Sequence, residues 1–266
     1  MPDDRPLRGR SIVVTRPQHQ AAAMIEQLAA LGAEPIALPA IRIQPKPDLT
    51  ELDAALHSLE RYAWLIFTSV NAVHLTIDRC RSLQVDPAQL PRLRLAAIGP
   101  ATARAIRSYR LQPAFVPDTY VAEQIAAGIP DVSGRHILLP RADGARPALP
   151  DGLRGRGAIV DEIRIYDAIR AEPADASLDR LRQGVDVVTF TSPSTALGFH
   201  EMVAEAGLDP FQLPADPLIA CIGPITASAA AALGYRVGLT AADHTANGLA
   251  TALAEYFQEA NQRVGT

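Results

Sequence analysis

Along this chain, short apolar runs alternate with longer amphipathic or alanine-rich stretches. The apolar runs at 11–15, 35–38, 64–67, 94–98 and 114–116 read as strands. A second set follows at 136–139, 158–160, 186–190, 218–222 and 236–239. Their unbroken Val/Ile/Leu character suits strands covered on both faces, as in parallel sheets. Helical patterns lie between them, at 20–31, 101–109, 120–127, 225–233 and 247–257. The pairs Leu31-Gly32 and Leu233-Gly234 put glycine just past an apolar-periodic stretch, where a helix C-terminus favours it. Proline and glycine clusters at 45–47 and 147–157 read as loops. Strand, helix and strand in succession predict right-handed crossovers and a doubly wound α/β fold with parallel sheets.

The pattern is written twice. Phe67-Thr68-Ser69-Val70-Asn71-Ala72 returns 123 residues later as Phe190-Thr191-Ser192-Pro193-Ser194-Thr195. Ala97-Ile98-Gly99-Pro100-Ala101-Thr102 returns after 124 residues as Cys221-Ile222-Gly223-Pro224-Ile225-Thr226. Val14-Thr15-Arg16-Pro17 returns more loosely as Leu139-Pro140-Arg141-Ala142, and Ile41-Arg42-Ile43 as Ile163-Arg164-Ile165. So long a period describes a domain duplication rather than a solenoid, and two similar lobes offer a common setting for a ligand. The units run A (10–43), B (57–128), A′ (135–166) and B′ (181–257). Periodicity allows A to join B and A′ to join B′, or B to join A′ with A and B′ around them.

Composition narrows the function by exclusion. The 266 residues are 48% hydrophobic and 20% charged, ordinary for a soluble globular protein. No apolar run is long enough to span a membrane, and the first ten residues lack the apolar segment of a signal peptide. Two distant cysteines without a CxxC pair fit a reducing cytoplasm. A net charge of −4 speaks against general nucleic-acid binding. Lys46 is the single lysine among 25 basic residues and lies between two prolines, as in an exposed linker, so Schiff-base chemistry has almost no candidate. Neither GxGxxG nor GxxxxGK[ST] is present, nor HExxH, a zinc-like Cys/His spacing or GxSxG. A site without cofactor or metal is expected.

What remains is hydroxyl-rich loops after strands, where ligands gather in open α/β sheets. Thr68, Ser69 and Asn71 follow one strand, and Thr191, Ser192, Ser194 and Thr195 follow its repeat. Thr102 and Thr226 open helices after the two Gly-Pro turns. Hydroxyls and free N–H groups at helix starts suit anionic oxygens, although each is equally an ordinary N-cap. Arg16 and Arg141 follow the first-strand equivalents and are either carboxylate partners or surface ion pairs. Tyr166, in Ile163-Arg164-Ile165-Tyr166, is a half-buried strand residue by its spacing, with a phenol able to donate a proton.

Taken in order and spacing, these pieces resemble the uroporphyrinogen-III synthase family over nearly the whole chain. The carrying segments are Val14-Thr15-Arg16-Pro17, the two Phe-Thr-Ser segments, and the two Ile-Gly-Pro-x-Thr-Ala segments, with Tyr166 at the family's recurrent tyrosine. The resemblance implies two similar lobes, one inserted into the other. Lobe one would be 1–39 with 170–266, lobe two 44–165, and the segments 40–44 and 163–169 a two-stranded connection. It implies a cytoplasmic lyase of porphyrin and heme biosynthesis. Such an enzyme closes hydroxymethylbilane, a linear tetrapyrrole with eight carboxylates, to uroporphyrinogen III. Ring D is inverted, water is lost and no cofactor or metal is used. Tyr166 would assist departure of the hydroxyl. Substrate contacts would come from Thr68, Ser69, Asn71 and Thr102 in lobe two and Ser192, Ser194 and Thr226 in lobe one, with Arg16 and Arg141 as carboxylate partners. A monomer is expected, in transient contact with the enzyme that supplies the bilane, and no nucleic acid or membrane partner. The net negative charge departs from what an octa-anionic substrate favours. Two other readings share the duplicated α/β pattern: a non-catalytic two-lobed tetrapyrrole or small-anion binding protein, and a nucleotide-sugar transferase.

Overall fold

The computed structural model describes residues 5–86, 90 and 93–264, without the side chains of residues 19 and 261–264. Its elements begin with β1 (Ser11–Val14), α1 (Gln18–Ala30), β2 (Glu34–Ala37) and β3 (Ile41–Pro45). Then come α2 (Thr50–Leu56), β4 (Tyr62–Phe67), α3 (Val70–Ser82), β5 (Arg94–Ala97), α4 (Pro100–Ser108) and β6 (Pro113–Phe115). Next are α5 (Ala122–Gly128), β7 (His136–Ala142), α6 (Ala148–Gly155) and β8 (Ile159–Arg170). The chain ends with α7 (Asp175–Gln183), β9 (Val187–Phe190), α8 (Pro193–Glu205), β10 (Leu218–Cys221), α9 (Pro224–Leu233), β11 (Val237–Thr240) and α10 (Ala246–Val264).

Two compact units result: Met1–Arg42 with Ile169–Thr266, and Ile43–Ala168. The first unit has a five-stranded sheet in the order β11-β10-β9-β1-β2, every pair parallel. The second has a six-stranded sheet in the order β3-β8-β7-β4-β5-β6, parallel from β8 onward. Strand β3 runs against β8, bracketed by Ala171 N–H donating to Ala40 C=O (3.1 Å) and Lys46 N–H to Ile165 C=O (3.0 Å). Leaving β3 aside, the two orders are one order with the chain cut at different points. The β1-β2 pair corresponds to β7-β8, and β9-β10-β11 to β4-β5-β6. The sequence repeat is thus a pair of doubly wound sheets related by circular permutation.

Alternation along the strands builds a core on each side of both sheets. In the first unit, Ile12, Val14, Val187 and Ala220 meet Met24 and Leu28 of α1 and Leu249 and Leu253 of α10. Their neighbours Val13, Val188 and Cys221 meet Leu181 of α7, Phe199 of α8 and Ala230 of α9. In the second unit, Trp64, Ile66, Ile137 and Leu139 meet α5 and α6, while Leu65, Phe67, Leu95 and Leu138 meet α2, α3 and α4. Side chains alternate across a strand, so covering both faces requires uninterrupted apolar runs. Gly32 and Gly234 lie just past α1 and α9 with φ of +94° and +105°, a conformation disfavoured for residues with a Cβ.

Three expectations are corrected. The segment 147–157 is not a loop: it holds α6, with Leu149 and Leu153 one turn apart and buried. Pro150 sits in the first turn, where its missing N–H leaves no intrahelical bond unmade. Nor is Lys46 a free linker residue. Its ammonium contacts Asp143 and Asp167, both at 2.8 Å. Strand β8 runs unbroken for 12 residues, where the apolar pattern marked 158–160 and family resemblance a separate 163–169.

Candidate active site

In an open parallel sheet, the loops on either side of the point where strand order reverses diverge and leave a crevice at the strands' C-terminal ends. In the first unit that point lies between β1 and β9, and in the second between β7 and β4. The loop after β9 opens α8. Ser192 is the N-cap, its hydroxyl accepting from the Thr195 N–H (3.2 Å), and the Thr195 hydroxyl accepts from the Ser192 N–H (3.0 Å). Thr195 is thereby committed to the helix start. Ser192 and Ser194 face one another through their hydroxyls at 2.9 Å, both half-buried. Arg16 follows β1, half-buried, with its Nε donating to Gln20 Oε1 (3.2 Å). Thr15 has no role at the loop surface: it is fully buried, its hydroxyl donating to Thr189 C=O (2.6 Å) and tying β1 to β9.

The equivalent loop of the second unit follows β4 and opens α3. The Ser69 hydroxyl caps the helix by accepting from the Ala72 N–H (3.0 Å). It also lies 2.8 Å from the Tyr166 hydroxyl, and either group can donate in that bond. Tyr166 projects from β8 into the core and is 5% exposed. Burial raises its pKa above that of an ordinary phenol, against the hydrogen bonds of Ser69 and Asn71 and the charge of Arg141. The structure thus gathers Ser69, Asn71, Arg141 and Tyr166 in one place, with Thr68 half-buried at the end of β4. Arg141 itself is 4% exposed. Its Nη1 donates to Glu162 (3.2 Å) and its Nη2 to Arg146 C=O (2.8 Å), whereas its Nε has no partner among the described residues. Burial lowers its pKa, offset by the nearby Glu162 carboxylate. In the loop after β7, Lys46 and Arg164 (3.2 Å) surround Asp143, and the Lys46 hydrogen bond chiefly holds that carboxyl below its usual range.

Thr102 and Thr226 occupy the first turns of α4 and α9, each 4% exposed. The N-caps are Gly99 and Gly223, so no side chain caps either helix. Their backbones are extended, and the need for glycine is spatial. A Cβ on Gly99 would stand 3.2 Å from Tyr120, and one on Gly223 3.0 Å from the His244 ring. Tyr120 and His244 are themselves 124 residues apart, each between an edge strand, β6 or β11, and the helix that follows it. Reasoning from hydroxyl-rich loops passed over both; the repeat offset is the signal that finds them.

The arrangement offers hydrogen-bond donation from hydroxyls, helix N–H groups and arginines, together with one buried phenol able to give up a proton. No group of three or more His, Cys, Asp or Glu among the described residues could hold a metal ion. Cys80 and Cys221 are buried free thiols, and burial pushes the Cys80 thiol up to about 11. None of the described helices is long and apolar enough to cross a membrane.

Comparison with known proteins agrees with this geometry. A family model described as uroporphyrinogen-III synthase HemD matches residues 22–251. The uroporphyrinogen-III synthase of Synechococcus elongatus is 30% identical over 261 residues, covering 96% of this chain and 98% of that one. That of Chlorobaculum parvum is 27% identical over 259 residues, covering 92% and 98%. Among solved structures, uroporphyrinogen-III synthetase from Helicobacter pylori shares the fold with a TM-score of 0.62 at 19% identity, covering 93% of this chain and 99% of that one. A mutant uroporphyrinogen III synthase from Thermus thermophilus gives 0.63 at 18%, covering 96% and 100%. The chain belongs to the uroporphyrinogen-III synthase family.

Proposed function

We propose that this protein cyclises hydroxymethylbilane to uroporphyrinogen III, inverting ring D and releasing water without a cofactor, as a monomer. The terminal C–O bond breaks with its electron pair on oxygen, which leaves as water and generates a delocalised azafulvenium cation. The substituted carbon of ring D must then attack before the nearer, unsubstituted one, giving a spirocyclic pyrrolenine. Its old bond to the bridge carbon toward ring C breaks and re-forms at the unsubstituted carbon, which releases its proton and balances the one given to the departing hydroxyl. Choosing between these carbons is a matter of holding the bilane, and positioning supplies more of the rate than proton transfer. No step changes the overall oxidation level, so the reaction calls for no redox partner.

The observation that carries this reading is the repetition of a hydroxyl-lined helix start beside the strand-order reversal in both units. Thr68, Ser69, Asn71 and Thr102 take carboxylates from one unit, and Arg16, Ser192, Ser194 and Thr226 from the other. Helix N-termini and hydroxyls offer anions neutral donors, which a net acidic protein needs. Arg141, enclosed by Glu162 and Arg146, contributes its field rather than a direct contact. Tyr166 supplies the proton for the departing hydroxyl, passing it through Ser69, the more accessible member of the pair. The test is to generate hydroxymethylbilane in situ, add the protein, oxidise the products and separate the porphyrin isomers. A dominant type III product is expected; type I alone, at the spontaneous rate, would reject the reading.

A further inference from the structure

Every residue assigned above lies near the C-terminal ends of strands. At the other end of the first unit's sheet, where β10 and β11 begin, a cavity of about 340 Å³ opens among Phe211, Asp216, Leu218, Tyr235, Arg236 and Tyr256. That volume admits one or two rings rather than a tetrapyrrole. Phe211 and Tyr256 are 51% and 41% exposed, two of the few large apolar side chains left in solvent among the described residues.

Behind them Tyr235 is 5% exposed, and its hydroxyl is buried without a hydrogen-bond partner among the described residues. Buried hydroxyls are nearly always paired, so an orphan at a cavity wall calls for an explanation. The Tyr235 ring packs against Phe211 and Phe190, at 5.5 and 5.4 Å between centroids, and against His200 at 5.9 Å. His200 Nδ1 is also buried and has no partner among the described residues. Arg236, exposed at the rim, makes no ion pair among the described residues. The rim loop has two consecutive non-glycine residues in the left-handed region, Ala215 (φ 69°) and Asp216 (φ 44°). Such a conformation is uncommon and persists only where its surroundings hold it.

We propose that this cavity is a second binding site, for a small aromatic monocarboxylate carrying a hydrogen-bond acceptor on its ring. The ring lies against Phe211 and Tyr256, and the carboxylate meets the planar Arg236 guanidinium. The Tyr235 hydroxyl, the unpaired donor of the same cavity wall, donates to the ring acceptor. Asp216 on the same rim disfavours a second carboxylate. This assignment stands apart from the bilane reading and uses none of its residues.

The test is calorimetric titration of the full chain with 4-hydroxyphenylacetate, with phenylacetate and tyrosol as probes lacking the acceptor or the carboxylate. Saturable one-to-one binding of 4-hydroxyphenylacetate is expected, with Kd below about 1 mM. Tyr235→Phe should weaken it about fivefold and leave phenylacetate unchanged, while raising Tm because the lost hydroxyl had no partner. Arg236→Ala, an exposed change that leaves the fold intact, should weaken both acids about tenfold and tyrosol hardly at all. Absence of saturable binding to the wild-type protein, or equal affinities in wild type and both variants, would overturn the proposal.

Discussion

The Tyr166 hydroxyl is partnered by a serine and an asparagine, not by a carboxylate or imidazole base, and its pKa is raised chiefly by burial. It stays protonated through neutrality and is a weak donor, so the proposed proton transfer from it would supply only a small share of the rate. Tyr166→Phe is expected to lower kcat about 10-fold with KM nearly unchanged, and the type III isomer should still dominate. The wild-type pH–rate profile should show no loss from this group until above pH ~10, where the phenol would ionise. An unchanged kcat would remove Tyr166 from proton transfer. Asp186 is a second residue with a definite expectation. Burial would raise its pKa, but the Ser11 N–H and hydroxyl (each 2.8 Å) and the Arg10 guanidinium (2.8 Å) hold it below the usual range. The stability it supplies is therefore present above the unfolded value near pH 4 and lost as pH falls through the depressed folded value. Asp186→Ala should cost about 1–2 kcal/mol at pH 7 in denaturant titrations, reduced by solvent screening, with the gap to wild type narrowing below pH ~4. At this scale the sequence named the chemistry but not the burial. Arg16 and Arg141 are equivalents in the repeat, yet Arg141 is enclosed by Glu162 and Arg146, partners that nothing at position 141 announces.

Helix starts show a division of labour that hydroxyl content alone could not reveal. Ser69 and Ser192 are true N-caps, so the functional and capping interpretations apply to the same atoms. Ser194 and Thr226 cap nothing. Ser192→Ala should thus lower stability by about 1 kcal/mol as well as raise KM, whereas Ser194→Ala should raise KM with Tm unchanged. Measuring both quantities for both variants separates the roles; a drop in Tm for Ser194→Ala would contradict the assignment. The strands were legible because burial on both faces demands unbroken apolar runs, and the C-caps because glycine alone tolerates that turn cheaply. Helix α6 was hidden by Pro147, Pro150, Gly152 and Gly155, which read as turn formers. Tertiary contact through Leu149 and Leu153 outweighs that propensity. The 12-residue β8 was broken in the reading by its polar centre Asp161-Glu162, which forms ladder pairs with Leu138 and Leu139 all the same.

Over the whole molecule, duplication was visible from spacing alone, but which halves share a sheet was not, because periodicity carries no register. Hydrogen-bond pairing of Val14 with Thr189 and of Leu65 with Leu138 carries that information. The net charge of −4 means attraction for an octa-anion must be local. Raising ionic strength from about 0.05 to 0.3 M should therefore raise KM several-fold and leave kcat nearly constant; an insensitive KM would place binding on uncharged donors alone. The interrupted path of the first unit also has a consequence in time. Ser11 and Asp186, which bond across β1 and β9, are 175 residues apart, and all of Ile43–Ala168 is translated between them. At ordinary elongation rates β1 leaves the ribosome roughly 10–35 s before its neighbour exists. The inserted unit, contiguous in the message, can close during that interval, while β1 and β2 wait as a nascent, unfinished edge open to chaperones and proteases. Proteolysis of stalled nascent chains should find 43–168 protected while the segment before it is still cut.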